Sequence, residues 1–324
     1  MAGTTRWRWV IIGKYIAKRL LQLLVILFGI TLLSFALMQT ASGDTVDAIV
    51  QQSGAAMSEE AKIALRHEMG LDQPFYLQYL HWIANIFTGN MGYSYVKNQA
   101  VFPMFMQALP NTLLLTLSSV LLTVFLSIPF GVFAAVQQNK FTDYLIRIGT
   151  FIGNAMPNFF LALLLIYIFA LQLHWLPVMG NNSFISIILP TLTLSLSMSA
   201  KYIRQVRATV LDELDKQYVV GARARGIREH VIIWAHVLKS AMLTIITLLA
   251  LSIGSLLGGT AIVESIFMWP GVGKLAVDAI SARDYQVVQV YVVWMAIIYV
   301  AVNLITDLIY HYLDPRIRIQ GEGG

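Results

Sequence analysis

Tyr218-Val-Val-Gly-Ala-Arg-Ala-Arg-Gly226, followed after nine residues by His236-Val-Leu-Lys-Ser-Ala241, is the stretch on which the reading of the chain turns. It sits at the centre of Lys201–Lys239, the one long charged segment between hydrophobic runs, with Ile185–Ala200 before it and Ala241–Val263 after. Eight of the chain's 22 Lys and Arg fall there, with four acids, His230 and His236. A basic loop of this kind between membrane spans belongs on the cytoplasmic side. Its residue types predict two short helices joined at a sharp corner. Asp212, Glu213 and Asp215 would stand near the start of the first, where acids suit the positive end of the helix dipole. Small residues at Gly221, Ala222 and Ala224 would give a face that another protein can approach closely. Gly226 would stop the helix, because glycine enters the left-handed cap conformation without strain, and Arg228 and Glu229 would open the second. The plain alternative is a solvated basic connector that merely obeys the positive-inside rule.

Outward from that loop, composition sets the class. The 324 residues are 57% hydrophobic and only 12% charged, with mean hydropathy +0.69. A soluble domain averages about 25% charged residues, so an integral membrane protein is expected. The net charge of +5 then records orientation rather than nucleic-acid binding, and no basic–aromatic RNA motif accompanies it. The lack of cysteine excludes disulfides, thiol catalysis and cysteine metal sites.

Hydropathy predicts six spans. Residues 1–19 carry Arg6, Arg8, Lys14, Lys18 and Arg19, with Trp7 and Trp9 as interfacial anchors, ahead of the uncharged run Leu20–Met38. That run exceeds an ordinary signal core and suffices for about 30 Å of hydrocarbon, so an uncleaved first span is expected. From Thr40 to Pro110 the chain reads as external, with Ser58 capping a short amphipathic helix. Asn111–Val136 is the second span, bent near its end by Pro129-Phe-Gly131. Lys140, Asp143 and Arg147 mark a cytoplasmic turn. Ile148–Leu171 is the third span, with a kink at Pro157 and a Gly149/Gly153 close-packing pair. His174 to Asn182 interrupts the apolar run before the fourth span, Ile185–Arg204. Ala241–Val263 is the fifth, where Gly254, Ser255, Gly258 and Gly259 suit a neighbouring helix, and Gln286–Thr306 is the sixth. With the N-terminus inside, 17 Lys and Arg are cytoplasmic and only Lys62, Arg66, Lys97, Lys274 and Arg283 lie outside, so both ends are expected inside.

Catalytic chemistry finds no foothold. Trp269-Pro-Gly-Val-Gly-Lys-Leu275 echoes a phosphate loop, but Met268 stands where its first Gly belongs and Leu275 where its hydroxyl belongs. His67-Glu68 lacks the second His of a zinc protease helix, and no Gly-x-Ser-x-Gly turn occurs. The six His have no ligand-like spacing, and thirteen Met are routine gap-fillers. No catalytic, cofactor or metal residue is expected. Asn111, Asn154, Asn158, Asn303 and Asp307 are the polar residues within spans, and intramembrane polarity marks candidates for a pathway. The expected pathway set is Asn154, Asn158, Ser255 and Asn303.

The spacing around Gly226 resembles the "EAA" loop of bacterial ABC importer permeases, with Val220 and Gly221 where that motif has Glu and Ala. The form Tyr-x-x-x-Ala-Arg-Ala-(Lys/Arg)-Gly is similar to the peptide/opine/nickel branch, first-permease type. So are Tyr15-Ile-Ala-Lys-Arg-Leu-Leu21, Gly70-Leu-Asp-Gln-Pro74, Glu264-x-x-Phe267-x-x-Pro270-Gly-x-Gly273, Arg283-Asp-Tyr285 and Leu313-Asp-Pro-Arg-Ile317. The resemblance implies an all-α membrane protein of six transmembrane helices, with the type I ABC importer permease fold and a small external insertion after the first helix. Residues 1–110 would hold the first span and the external subdomain, 111–313 the permease core with a coupling loop at 205–240, and 314–324 a cytoplasmic tail. Tyr218, Gly221, Ala222, Arg223, Ala224, Arg225 and Gly226 would dock on a cytoplasmic ATPase. The implied partners are a second permease subunit, two ATPase subunits holding ATP and Mg, and an extracytoplasmic substrate-binding protein, all at a bacterial plasma membrane. The chain itself would do no chemistry. Gly70-Leu-Asp-Gln-Pro74, Trp175-Leu-Pro-Val-Met-Gly180 and Arg283-Asp-Tyr285 lean to a nickel permease carrying a small chelate, with dipeptides or oligopeptides as the alternative cargo. A secondary transporter, the other class, would show inverted repeats, and none is visible.

Overall fold

The computed structural model describes residues 21–37, 44–53, 57–178 and 184–313. The basic N-terminus, residues 179–182 of the expected break, and the tail at 314–324 lie outside these, as do the side chains of Ser255 and Asp307. Helix α1 (Leu21–Leu37) leads to α2 (Thr45–Ser53), α3 (Glu59–Glu68) and α4 (Phe75–Phe87). A hairpin of β1 (Tyr93–Ser94) antiparallel to β2 (Gln99–Ala100) opens α5 (Val101–Val136). Helix α6 (Phe141–Ala155) and α7 (Asn158–Leu165), the latter continued as a π-helix to Gln172, precede α8 (Ile188–Leu214). Helices α9 (Gln217–Ala224) and α10 (Glu229–Val231) reach α11 (Leu238–Ile266) through the π turn Ile232–Val237, and α12 (Val272–Ser281) and α13 (Tyr285–Leu313) follow. The chain divides into two compact units, residues 1–110 with 274–301 and residues 111–273 with 302–324. The expected permease core includes 274–301, a segment that by its contacts groups with the first 110 residues.

In the first unit, aromatic side chains join α1 to α4. The Phe35 ring stands 5.3 Å from Phe75 and 5.6 Å from Tyr79, both edge-on, and Thr31 Oγ1 lies 2.9 Å from the Tyr79 hydroxyl. Ser58 caps α3 as its sequence predicts, accepting from the Ala61 N–H at 3.3 Å. Gly92 has φ +88°, and a Cβ there would lie 2.0 Å from Gln286 Oε1, which instead accepts the Tyr93 N–H at 3.0 Å. Val101, Met104, Leu275, Val287 and Val290 form the apolar core, with the Trp294 ring stacked 5.9 Å from Phe105.

In the second unit α8 packs against both α6 and α11. Of the Gly149/Gly153 pair only Gly153 makes a close approach, with its Cβ position 3.0 Å from Ala200 Cβ; around Gly149 the space is open. Gly131 faces Val206, whose Cβ lies 2.6 Å from where its own would be. Open space likewise surrounds Gly258 and Gly259, so no neighbour for that stripe is found among the described residues.

Several expected spans change shape. Helix α5 starts ten residues before Asn111 and runs unbroken through Pro103, Pro110 and Pro129. The single third span becomes two helices meeting at 105°. Proline drives the residue before it into extended backbone, and Met156 (φ −82°, ψ 125°) ends α6 instead of kinking it. Helix α8 continues ten residues beyond Arg204, carrying Asp212 and Glu213 at its end, not at the start of the next helix. Among the described residues three helices are long and apolar enough to cross a membrane, Val101–Val136, Glu229–Leu249 and Tyr285–Thr306, or four if the bent pair is one span. Leu21–Leu37 is a shorter apolar helix, and α8 is long but carries charge.

Candidate coupling surface

The charged stretch between α8 and α11 is held in shape by short-range sequence effects. Lys216 takes extended backbone (φ −76°, ψ 148°), which separates α9 from α8. Glu213, at 9% exposure, braces this entry: Lys216 Nζ lies 2.5 Å from its Oε1, and the Tyr218 hydroxyl donates to Oε2 at 2.9 Å. Burial raises the Tyr218 phenol above its ordinary pKa, against a hydrogen bond with Ser240, and the Glu213 carboxylate adds to the rise. The phenol therefore stays a donor.

The two faces of α9 have different surroundings. Val219 and Ala222, three apart, are buried in a core with Val210, Ile232, Ile233 and Val237. Val220 and Ala224, four apart, are exposed with Arg225. Gly221 is half-buried beside open space. Gly226 has φ +76° with no atom within 4 Å of a Cβ position, so the backbone, not crowding, requires glycine. Arg223 reaches across this corner, its Nη2 2.5 Å and Nε 3.1 Å from Glu229 Oε1. Arg225 Nε donates to Gly221 O at 3.1 Å. Tyr218 and Arg223 thus have partners within the chain, Ala222 is part of the loop's footing, and Ala224, Arg225 and Gly226 form its exposed tip. Sequence reasoning named Val220 only as a departure from a motif, yet it is 52% exposed. Its signal was its phase, opposite to Val219 and Ala222 and in step with Ala224.

The expected pathway residues lie on four different helices. Asn154 is exposed at the end of α6, Asn158 is half-buried beyond the Pro157 corner, and Asn303 is half-buried on α13. Among the described residues no hydrogen bond joins any two of them. Ser255 lies on α11.

A tighter polar knot closes the far end of α11. Thr112 Oγ1 donates to the fully buried Glu264 Oε1 at 2.7 Å and accepts the Val272 N–H at 2.9 Å. Trp269 Nε1 donates to Asn111 O at 3.0 Å, and Asn111 Nδ2 to Pro270 O at 2.9 Å. A Cβ at Gly271 would lie 2.4 Å from Glu264 Oε2, and one at Gly273 would lie 2.5 Å from Ala261 Cα. The glycines that echo a phosphate loop are there for this close approach.

The first unit holds a polar cavity of about 420 Å³ lined by Asp44, Asp47, Gln78, His81, Trp82 and Gln289 among others. Burial pushes the Asp44 carboxyl up, but hydrogen bonds from Arg66 and the Asp47 N–H outweigh it and hold the group below its usual range. Trp82 Nε1 is buried there without a hydrogen-bond partner among the described residues. Among the described residues no group of three or more His, Asp or Glu could hold a metal ion.

Comparison with known proteins places this geometry in context. Residues 127–319 match the family described as binding-protein-dependent transport system inner membrane component, and residues 12–116 match its N-terminal companion. The chain is 40% identical over 317 residues to the oligopeptide transport system permease protein AppB of Bacillus subtilis, covering 94% of this chain and 99% of that one. It is 36% identical over 305 residues to the glutathione transport system permease protein GsiC of Escherichia coli, at the same coverage. Among solved structures, a chain of the inward-facing MetNI methionine ABC transporter shares the fold at TM-score 0.56 and 15% identity, covering 66% of this chain and 97% of that one. The nickel lean is corrected by these relatives, whose names specify oligopeptide and glutathione. Two of the segments behind it are structural: Gly70 (φ +66°) follows the end of α3, and Asp284 accepts the Val287 N–H at the start of α13.

Proposed function

The chain belongs to the family of binding-protein-dependent transport system inner membrane components, and on that premise we propose that it is a membrane-spanning subunit of an ATP-driven importer of small peptides. The observation that carries the cargo is the pair of relatives, oligopeptide and glutathione permeases, each aligned over 94% of this chain. Family membership sets the secondary-transporter reading aside. In the proposed assembly this chain pairs with a second permease subunit, two ATPase subunits bind ATP and Mg on the cytoplasmic side, and an external binding protein delivers the peptide. The chain hydrolyses nothing itself. Six spans with both ends inside fit the split of 17 cytoplasmic to five external Lys and Arg. ATP-driven closure of the ATPase pair would reach the spans through the exposed tip at Val220, Ala224, Arg225 and Gly226, and alternating access would follow.

Uptake of labelled di-, tri- and pentapeptides, glutathione and nickel by cells lacking this chain provides the test. Loss of peptide or glutathione uptake, restored by the intact gene, is the expected result. Intact peptide and glutathione uptake in the deletion strain would refute the cargo.

A further inference from the structure

We propose that the groove between α6 and α8 binds the phosphate of an anionic phospholipid in the cytoplasmic leaflet. The groove, about 450 Å³, is lined by Tyr144, Arg147, Ile148 and Phe151 of α6 and by Arg204 and Arg207 of α8. On α6 these residues follow the i, i+3, i+4, i+7 spacing of a single helix face, and on α8 the two arginines are three apart. The three guanidiniums differ in their commitments. Arg207 is held by the fully buried Asp143, with Nε 2.7 Å from Oδ1 and Nη2 2.8 Å from Oδ2, and the Asn139 N–H adds a bond at 3.0 Å. Asp143 is thereby consumed. Arg147, whose guanidinium stands 5.5 Å over the Tyr144 ring, and Arg204 are exposed and have no carboxylate partner among the described residues. Arg147 feels the Asp143 carboxylate only at longer range, so two exposed guanidiniums face the groove without a close ion pair among the described residues.

The walls select the source of the anion. Tyr144, Ile148 and Phe151 are 50%, 57% and 69% exposed, and Phe141 and Leu145 extend the same apolar surface along α6. A soluble anion gains nothing from such a wall, whereas an acyl chain buries it. Helix α8 leads into the basic stretch assigned to the cytoplasmic side, the leaflet surface where anionic headgroups meet basic pockets between helices. The assignment rests on that orientation but not on the peptide cargo, and lipid binding is measured independently of uptake.

The experiment is native mass spectrometry of the whole importer complex, released from detergent with phosphatidylglycerol or with phosphatidylcholine of the same acyl chains. Wild-type complex is expected to retain phosphatidylglycerol selectively. Arg147→Gln/Arg204→Gln removes two exposed charges and is expected to weaken that retention on the order of tenfold. Lys239→Gln/Arg318→Gln, an equal loss of charge elsewhere on the side assigned to the cytoplasm, should leave it unchanged. Arg207 is spared, because its removal would strand Asp143. The mass of the assembled complex reports directly whether each variant has folded. Equal retention of the two lipids, or wild-type retention by Arg147→Gln/Arg204→Gln, overturns the proposal. Displacement of the lipid by millimolar inorganic phosphate would assign the groove to a soluble anion. Loss of ATPase copies from the double variant at unchanged lipid retention would assign it to an acidic protein surface. Either result also overturns it.

Discussion

A β-carbon at residue 226 would be held at φ +76° with nothing around it, so its cost is backbone strain alone, about 1–2 kcal/mol. Gly226→Val is therefore expected to insert at near-normal abundance while weakening ATPase association or substrate-stimulated ATP hydrolysis. Gly226→Asn, which tolerates the left-handed region, should retain most of it. Normal coupling in the Val variant, measured on the purified complex, would reduce the stretch to a basic connector. Asp284 offers a second test. It is 2% exposed, accepts from Ser94 Oγ and the Val287 N–H, and burial raises its carboxyl above the usual range despite those bonds and Lys97. A raised folded pKa means that protonation favours the fold. That contribution is complete below the unfolded pKa near 3.8 and is lost as pH rises through the folded value. Asp284→Asn mimics the protonated cap, so its thermal midpoint should match or exceed wild type at pH 7, and the gap should narrow toward pH 4. Asp284→Ala loses the cap and should cost about 1 kcal/mol. The corner at Gly226 was legible because glycine after a helix has one common use. The Thr112–Glu264 bond was not, because its partners are far apart in the chain and nothing local announces it.

On α9 the burial phase separates two substitutions that look alike in sequence. Ala222→Glu would put a charge into the core beside Val219 and Ile232, costing on the order of several kcal/mol, so it should lower the amount of folded protein. Val220→Glu changes the exposed face, and should leave abundance intact while altering ATPase association in pull-downs. If Ala222→Glu accumulates to wild-type levels, the burial assigned to that face is wrong. Ala222 was read as a docking residue because a span of small residues does not reveal which side of a short helix faces inward. The corner at Pro157 was misjudged for a related reason. Composition marks a break at Met156-Pro157, but the 105° angle depends on where α7 finds its core, with Leu161, Ala162 and Leu165 against Leu189 and Leu194 of α8. Helix α8 was drawn too short because charged residues suggested a loop, whereas Tyr202, Val206 and Val210 keep one buried stripe running past Arg204 and Arg207.

For the whole molecule, the native chain has no cysteine, so single-cysteine labelling has no background. Lys62→Cys and Lys97→Cys should react with an impermeant reagent in intact cells, and Arg225→Cys only after permeabilisation. Reaction at position 225 from outside would overturn the six-span orientation. That orientation rests on the alternation of apolar and basic segments along the chain. The grouping of 274–301 with 1–110 was not readable, because hydropathy follows the chain while packing does not. That discontinuous unit has a consequence for synthesis. Ser94 waits for Asp284, Gly92 for Gln286, and Phe105 for Trp294, so the first unit cannot close until the ribosome has passed residue 301. At about 5–20 residues per second the delay after residue 110 is roughly 10–40 s. Throughout it the nascent chain must keep Val101, Met104 and Phe105 from other partners, an interval in which a holding chaperone or the insertion machinery has the most to protect.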